Sequence, residues 1–267
     1  MRRLLVLAFL SCVCLASSCF ANSATEKTVV KVITDSWCPY TCADTSEDKG
    51  LFYAVVKGAF DEVDLPTQYQ TSSWTRAIQN TKSGTHDVLL GADSEHETAL
   101  EVAHEFFIFD KTVFAVRKNH SVVLNEGKDL HHYMVGHISD YTYDDTGEWE
   151  DFIENHPKGV SITSSQGEVH LLELLIRKRI DVAVVNLDVA NLTLKLKPEW
   201  DGITFINKNI ASKLYVAFHR SPRGAELRQK FKEGFYKLLG SGKLQEIFDR
   251  YNIIMPEYTR PTAATNN

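Results

Sequence analysis

Trp37 and Tyr40 flank the pair Cys38-Pro39, and aromatic rings on such a loop can stack on a flat or cationic molecule. The alternative is that they pack around the cysteine loop. Asp93 follows the apolar run Asp87-Val88-Leu89-Leu90-Gly91, where a strand's carboxyl end would point it at a ligand, and with Glu95 it favours a cationic group. Trp74 suits either ligand contact or packing between structural units. Arg76, two positions on, either turns toward the ligand or remains a solvated helix residue. Further along, Tyr141 lies in Ser139-Asp140-Tyr141-Thr142-Tyr143, and Ser165 in Ser164-Ser165-Gln166-Gly167. Amides and hydroxyls at a helix start can hold an anion or a carbonyl group, although Ser164 or Ser165 can equally cap its own helix. Asn186 both donates and accepts, which suits a neutral polar ligand, and Asp188 reads as a cap for the following helix. The candidate binding set is therefore Trp37, Tyr40, Trp74, Arg76, Asp93, Tyr141, Ser165 and Asn186. These side chains can grip a polar molecule. Bond breaking would need a general acid such as Glu95 or His96, and no nucleophile with a paired base stands out, so no catalytic residue is assigned.

Cys38 and Cys42 are expected to form a disulfide that closes a small loop, since three of the five cysteines, Cys12, Cys14 and Cys19, fall in the N-terminal segment read below as an export signal. On the chain-entropy model so short a ring contributes only about 2 kcal/mol, so its role is to shape the loop. The spacing is Cys-x-x-x-Cys, against a Cys-x-x-Cys redox motif. The ten His form no spaced ligand set, and no metal or cofactor is expected. His131-His132, His96 and His104 read as surface residues.

The elements that must position these residues follow from periodicity. Thr28 to Thr34 reads as a buried strand, and after Gly50 a helix carries Phe52, Val55, Val56, Phe60 and Val63 at helical spacing. Thr67 to Thr71 is a second strand. Ser72 or Ser73 can cap a helix containing Trp74, Ala77 and Ile78, and Asp87 to Gly91 is a third strand. Two extended runs follow, Phe106 to Phe109 and Thr112 to Arg117. A second alternation comprises strands at Met134–Ile138, Val160–Thr163 and Asp181–Val185, with helices at Glu148–Glu154, Glu168–Lys178 and Val189–Leu196. Lys213 to His219 is a further strand, leading to helices Ala225–Leu239 and Lys243–Tyr251 with single apolar stripes. Two successive α/β units predict an α/β fold with two lobes, a cleft at their strands' carboxyl ends, and crossings near Ala115 to Lys118 and Ala211 to Ala217. The expected division is lobe 1 at 28–115 with 217–255, lobe 2 at 116–216, and a flexible tail at 256–267.

Met1-Arg2-Arg3, the apolar run Leu4 to Leu10 and small residues through Ala21 have the order of a secretory signal. The apolar run is shorter than the about 20 residues of a membrane-spanning helix. Cleavage after Ala21 is expected; Ala24 also fits, and Ala16-Ser17-Ser18-Cys19 loosely resembles a lipoprotein box that would leave a lipid anchor at Cys19. Loss of residues 1–21 leaves 246 of 267 residues and, with Arg2 and Arg3 gone, a formal charge of −8 in place of −6. That charge, without clustered Lys and Arg, excludes nucleic acid as the expected partner.

Asp35-Ser36-Trp37-Cys38-Pro39-Tyr40, the helix opened by Gly50 and ending in Ala59-Phe60, Trp74-Thr75-Arg76-Ala77, Gly84-x-x-Asp87 and Gly91 resemble the first lobe of family 3 bacterial extracellular solute-binding proteins. Arg177-Lys178-Arg179-Ile180-Asp181-Val182-Ala183-Val184-Val185 resembles the second-lobe motif, and Lys243-Leu244-Gln245-Glu246-Ile247 the C-terminal helix, so the resemblance covers roughly 28–253. It implies a two-lobed type II periplasmic-binding-protein fold with two hinge crossovers and a ligand cleft between the lobes. It also implies a periplasmic monomer that captures a small polar solute, amino-acid-like or an amine, for the membrane permease of an ABC transporter. Two anchors of the family's amino-acid site are missing: no Arg stands in Ala92 to Ala99, and Asn186 occupies the position of an Asp. A buried carboxylate without a cationic partner would carry a large desolvation cost, so either Arg76 replaces the missing Arg or the ligand is not an ordinary amino acid. The alternatives in function are an enzyme on this scaffold, similar to cyclohexadienyl dehydratases, and a receptor reporting to a membrane signalling partner.

Overall fold

The computed structural model describes residues 29–259, so the expected export signal and its cleavage point lie outside the described residues. A first unit alternates β1 (Val30–Thr34), α1 (Leu51–Asp61), β2 (Thr67–Thr71), α2 (Trp74–Lys82) and β3 (Val88–Ala92). The long strand β4 (Leu100–Arg117) leads to β5 (Val135–Ile138), α3 (Glu150–Glu154), β6 (Gly159–Ile162), α4 (Gly167–Ile176), β7 (Val182–Asn186) and α5 (Leu187–Leu196). A second long strand, β8 (Ile203–His219), returns to α6 (Pro222–Ser241) and α7 (Lys243–Tyr251). Among the described residues no helix is long and apolar enough to cross a membrane.

The strands lie in the order β2-β1-β3-β8-β4-β7-β5-β6. Pairing is parallel within β2-β1-β3 and within β7-β5-β6, and antiparallel wherever β4 or β8 takes part. β3 is beside β8 as far as the pair Ala92 and Tyr215, and β7 joins β4 at Asn186 and Thr112. Between those points Phe107 to Lys111 pairs with Tyr215 to Ala211 as a two-stranded ribbon, with pairing irregularities at each end, Ala103/Phe107 and Thr112/Val113. Ala115, where the first crossing was expected, pairs with Ala183 in β7. The expected runs before and after Asp110 are one strand, because polar Asp110 and Lys111 interrupt the apolar pattern where the ribbon leaves its covering helices.

The inner strands β3, β5 and β7 bury both faces, as helices on either side of a sheet require, whereas the outer strands β2 and β6 keep exposed positions. In β1 and β3, Val30, Val32, Val88 and Leu90 pack with α1, α6 and α7, while Ile33 and Leu89 face Trp74, Ala77 and Ile78 of α2. In β7, Ala183 and Val185 face Leu171, Leu172 and Leu175 of α4, whereas Val182 and Val184 face Trp149 and Ile153. Neither Ser72 nor Ser73 caps α2 through its side chain: Ser73 stands at the N-cap without such a bond, and the buried Ser72 hydroxyl has no partner. Of the expected tail, residues 256–259 are described, and Tyr258 packs on Phe106 and Phe235 with its hydroxyl donating to the Phe107 carbonyl at 2.7 Å.

Candidate functional site

The loop between β1 and α1 is held from three sides. Cys38 and Cys42 form a disulfide with Cα atoms 4.5 Å apart. The first amides of α1, which have no partner within the helix, donate to this loop: Leu51 N to the Pro39 carbonyl at 2.9 Å and Phe52 N to that of Tyr40 at 2.8 Å. Gly50 permits the approach, since its φ of 93° is glycine's and a Cβ there would stand 2.5 Å from the Tyr40 carbonyl oxygen. Trp37 and Tyr40 are thereby stacked, ring centroids 4.4 Å apart, and buried.

From that loop and from α2, side chains reach the second lobe. Trp37 Nε1 donates to Glu168 Oε1 at 2.8 Å, and the Tyr40 hydroxyl to Asp188 Oδ2 at 2.7 Å. Trp74 Nε1 donates to the Asp140 carbonyl at 2.7 Å, and the Thr75 hydroxyl to the Asp140 carboxylate. Asp140 presents both acceptors from a left-handed conformation, φ 61°, which Asp tolerates better than most residues. Ser36 N donates to the Ser165 carbonyl at 2.8 Å, and in the opposite direction the Tyr141 hydroxyl donates to Asp35. The lobes are thus closed on each other by their own groups.

At the centre is a cavity of about 30 Å³, roughly one water's share of liquid volume. Phe52, Leu90 and Leu214 form apolar wall; Trp37, Trp74 and Tyr141 supply rings; Asp35, Asp93 and Asp110 supply carboxylates, and Thr41 a hydroxyl. A wider opening of about 260 Å³ adjoins it between α2 and α3, with Lys82, Glu95, His96, Asp140, Glu150 and Glu154 on its walls.

The carboxylates differ in how they are compensated. Burial raises Asp35 to about 6 although Tyr141 donates to it. Burial likewise raises Asp110 to about 6; Asn186 Nδ2, donating at 2.7 Å, opposes this, and Asp145 and Asp188 add to it. Glu168 is pushed well above the ordinary range by burial and then by Asp110; its Oε1 also accepts Asn186 N at 3.0 Å, while Oε2 has no partner. Burial works against the Asp93 carboxylate too, yet the His96 ring at 2.7 Å, followed by Thr142 and the Glu95 amide, holds it below its ordinary value. Glu150, at the wider opening, is raised by burial to about 7.

Of the residues singled out in the sequence, Trp37, Trp74, Asp93 and Tyr141 line the cavity. Tyr40 stands behind Trp37, held to Asp188. Asn186 is one bond behind Asp110, its Oδ1 accepting Asp188 N at 2.8 Å and Val189 N at 3.0 Å. Asn186, rather than Asp188, therefore caps α5. Arg76 is exposed on α2 and is not among the residues lining the cavity. Ser165 is exposed and takes part through its backbone; Ser164 accepts Gln166 N at 3.2 Å, and the N-cap of α4 is Gln166. The acidic side chain at that helix start is the chain's own Glu168, in the first turn of α4. His96 is not a surface residue: its side chain is 10% exposed, bonded to Asp93 and edge-on to Trp74. Asp35, Thr41, Asp110, Asp140 and Glu168 were not among the candidates. Only Asp35 carried a positional signal, directly after β1.

Comparison with known proteins agrees with this architecture. Three solved structures share the fold over most of the chain. An ancestral arginine-binding protein bound to arginine is 16% identical with a TM-score of 0.71, covering 84% of this chain and 97% of its own. A histidine kinase sensor domain with similarity to periplasmic binding proteins is 18% identical with a TM-score of 0.73, covering 87% and 100%. The arginine-, lysine-, histidine-binding protein ArtJ of the thermophilic bacterium Geobacillus stearothermophilus is 18% identical with a TM-score of 0.71, covering 86% and 97%. At these identities the likeness is one of fold. No curated protein matches the chain. The family model of bacterial extracellular solute-binding proteins, family 3, matches residues 30–253, and the chain belongs to that family.

Proposed function

We propose that the chain is exported to the periplasm, captures a small polar solute between its lobes without transforming it, and delivers it to the membrane permease of an ABC transporter. The observation that carries this reading is the convergence of rings from both lobes, and of carboxylates from lobe 1 and the ribbon, on one cavity beside a two-stranded hinge. We place lobe 1 at Val30 to Phe106 with Val216 to Tyr258, and lobe 2 at Thr112 to Ile210, with the ribbon as the bending element. A thermal-shift screen of the disulfide-bonded protein tests it, because a solute that binds the folded form adds RT ln(1 + [L]/Kd), about 2.7 kcal/mol at a hundredfold excess over Kd. One solute class should raise Tm and leave the screen chemically unchanged; turnover of the solute would instead establish an enzyme. A sensing role is the second reading, favoured by the fold shared with a sensor domain over that domain's whole length. Capture of a membrane-anchored kinase in place of a permease by the solute-loaded protein would decide for it.

A further inference from the structure

Two of the three carboxylates of the cavity, Asp35 and Asp110, face groups that carry no charge of opposite sign, while Asp93 is paired with the His96 ring. Asp35 and Asp110, 3% and 5% exposed, are held by the Tyr141 hydroxyl and the Asn186 amide. No Lys or Arg is among the residues lining the cavity. The basic side chains nearby are already engaged or stand further out: His96 on Asp93, Lys111 half-exposed 3.7 Å from Asp188, and Lys82 at the wider opening. A second observation is independent of charge. The Thr41 hydroxyl, 1% exposed and on the cavity wall, has no hydrogen-bond partner, and neither has Glu168 Oε2 behind Trp37. Buried polar atoms are ordinarily paired, so the Thr41 hydroxyl, which can accept as well as donate, remains open to a group brought from outside. A carboxylate introduced here would meet Asp35, Asp93 and Asp110 without a cation to offset its desolvation. An ammonium or guanidinium group would meet acceptors and the faces of Trp37 and Trp74. Among the described residues no group of His, Cys, Asp and Glu is arranged for a metal ion, which leaves an organic cation.

Resting on the capture reading above, we infer that the solute is a small organic cation without a carboxylate, an amine or guanidine whose charged end lies between Asp35 and Asp110 and donates to Thr41.

Calorimetry on the purified, disulfide-bonded chain tests this with pairs that differ only in the carboxylate: lysine against 1,5-diaminopentane, and arginine against 4-aminobutylguanidine. The carboxylate-free member of at least one pair should bind at least about tenfold more tightly. Asp110→Asn and Asp35→Asn should each weaken that binding about tenfold or more, with circular dichroism confirming the fold. Thr41→Val, of similar shape, should weaken it less. Equal or tighter binding of the amino acid overturns the inference and leaves solute capture standing. If neither pair binds, the inference falls; if neutral and anionic solutes also fail to bind, the capture reading falls with it.

Discussion

Asp110 is a carboxylate whose ionisation the folded chain resists. Its ordinary value of 3.8 is raised to about 6, first by burial, with Asp145 and Asp188 adding to it. A raised carboxyl binds its proton more tightly when folded, so its contribution to stability is complete below about pH 4 and is lost as pH rises through 6. Asp110→Asn retains an oxygen for Asn186 Nδ2 and removes the charge. Its Tm should therefore exceed that of the parent near pH 7.5 and match it near pH 4. The ceiling is roughly 3 kcal/mol for a shift of this size, at about 2–4 °C per kcal/mol in a chain this long. A difference independent of pH would show that the charge is not the cause. Below pH 4 both proteins should lose stability together, since Asp93, Asp87 and Asp181 are held below their ordinary value by their partners despite burial. Asp110 was invisible in the sequence because its environment comes from strands far apart along the chain. Asp93 was legible because it follows directly on the end of β3, where the fold delivers side chains to the cleft.

At the scale of elements, the approach of α6 to α1 depends on an absent side chain. A Cβ at Gly234 would stand 1.8 Å from the Ala59 carbonyl oxygen in the last turn of α1, and the atoms it meets there are backbone rather than the end of a flexible side chain. Gly234→Ala should cost about 1–3 kcal/mol, the range of overpacking, in urea unfolding followed by circular dichroism. Gly202→Ala, with nothing within 4 Å, should stay within about 0.5 kcal/mol of the parent. Equal stability of the two variants would remove the claim of close packing. Helix α7 and strand β2 coincide with their sequence reading, and the other helices and short strands depart from theirs by one to three residues at an end, because an amphipathic stripe or an apolar run marks them. The first half of β8 escaped notice for a physical reason: the consecutive polar residues Asn207, Lys208 and Asn209 break both an apolar run and a strict alternation on a strand buried only in part. The hinge ribbon was legible only in part: Phe107 to Phe109 and Leu214 to Tyr215 are apolar, while Asp110, Lys111, Ser212 and Lys213 interrupt the pattern.

The whole molecule closes on itself, and this sets a competition that the solute must win. The Tyr141 hydroxyl satisfies Asp35, Trp37 satisfies Glu168, and Trp74 and Thr75 hold Asp140, all across the cleft. The cavity left between them is about 30 Å³, beside the wider opening of about 260 Å³, and a diamine is expected to enter with the lobes apart. Apparent affinity then equals intrinsic affinity reduced by the fraction of molecules held in the self-bonded form. Tyr141→Phe preserves the ring's edge-on contact with Trp74 and leaves Asp35 buried without its donor when the lobes are shut. A hydrogen bond to a charged group contributes about 1.5–3 kcal/mol, so the self-bonded form should lose at least about tenfold in population relative to the open one. Small-angle scattering should show a larger radius of gyration for the variant alone and the parent's value once an amine is bound. Calorimetry with 1,5-diaminopentane should show tighter apparent binding, by up to about tenfold. A weaker affinity at unchanged radius would mean that the hydroxyl serves the bound solute and that self-closure does not compete with it.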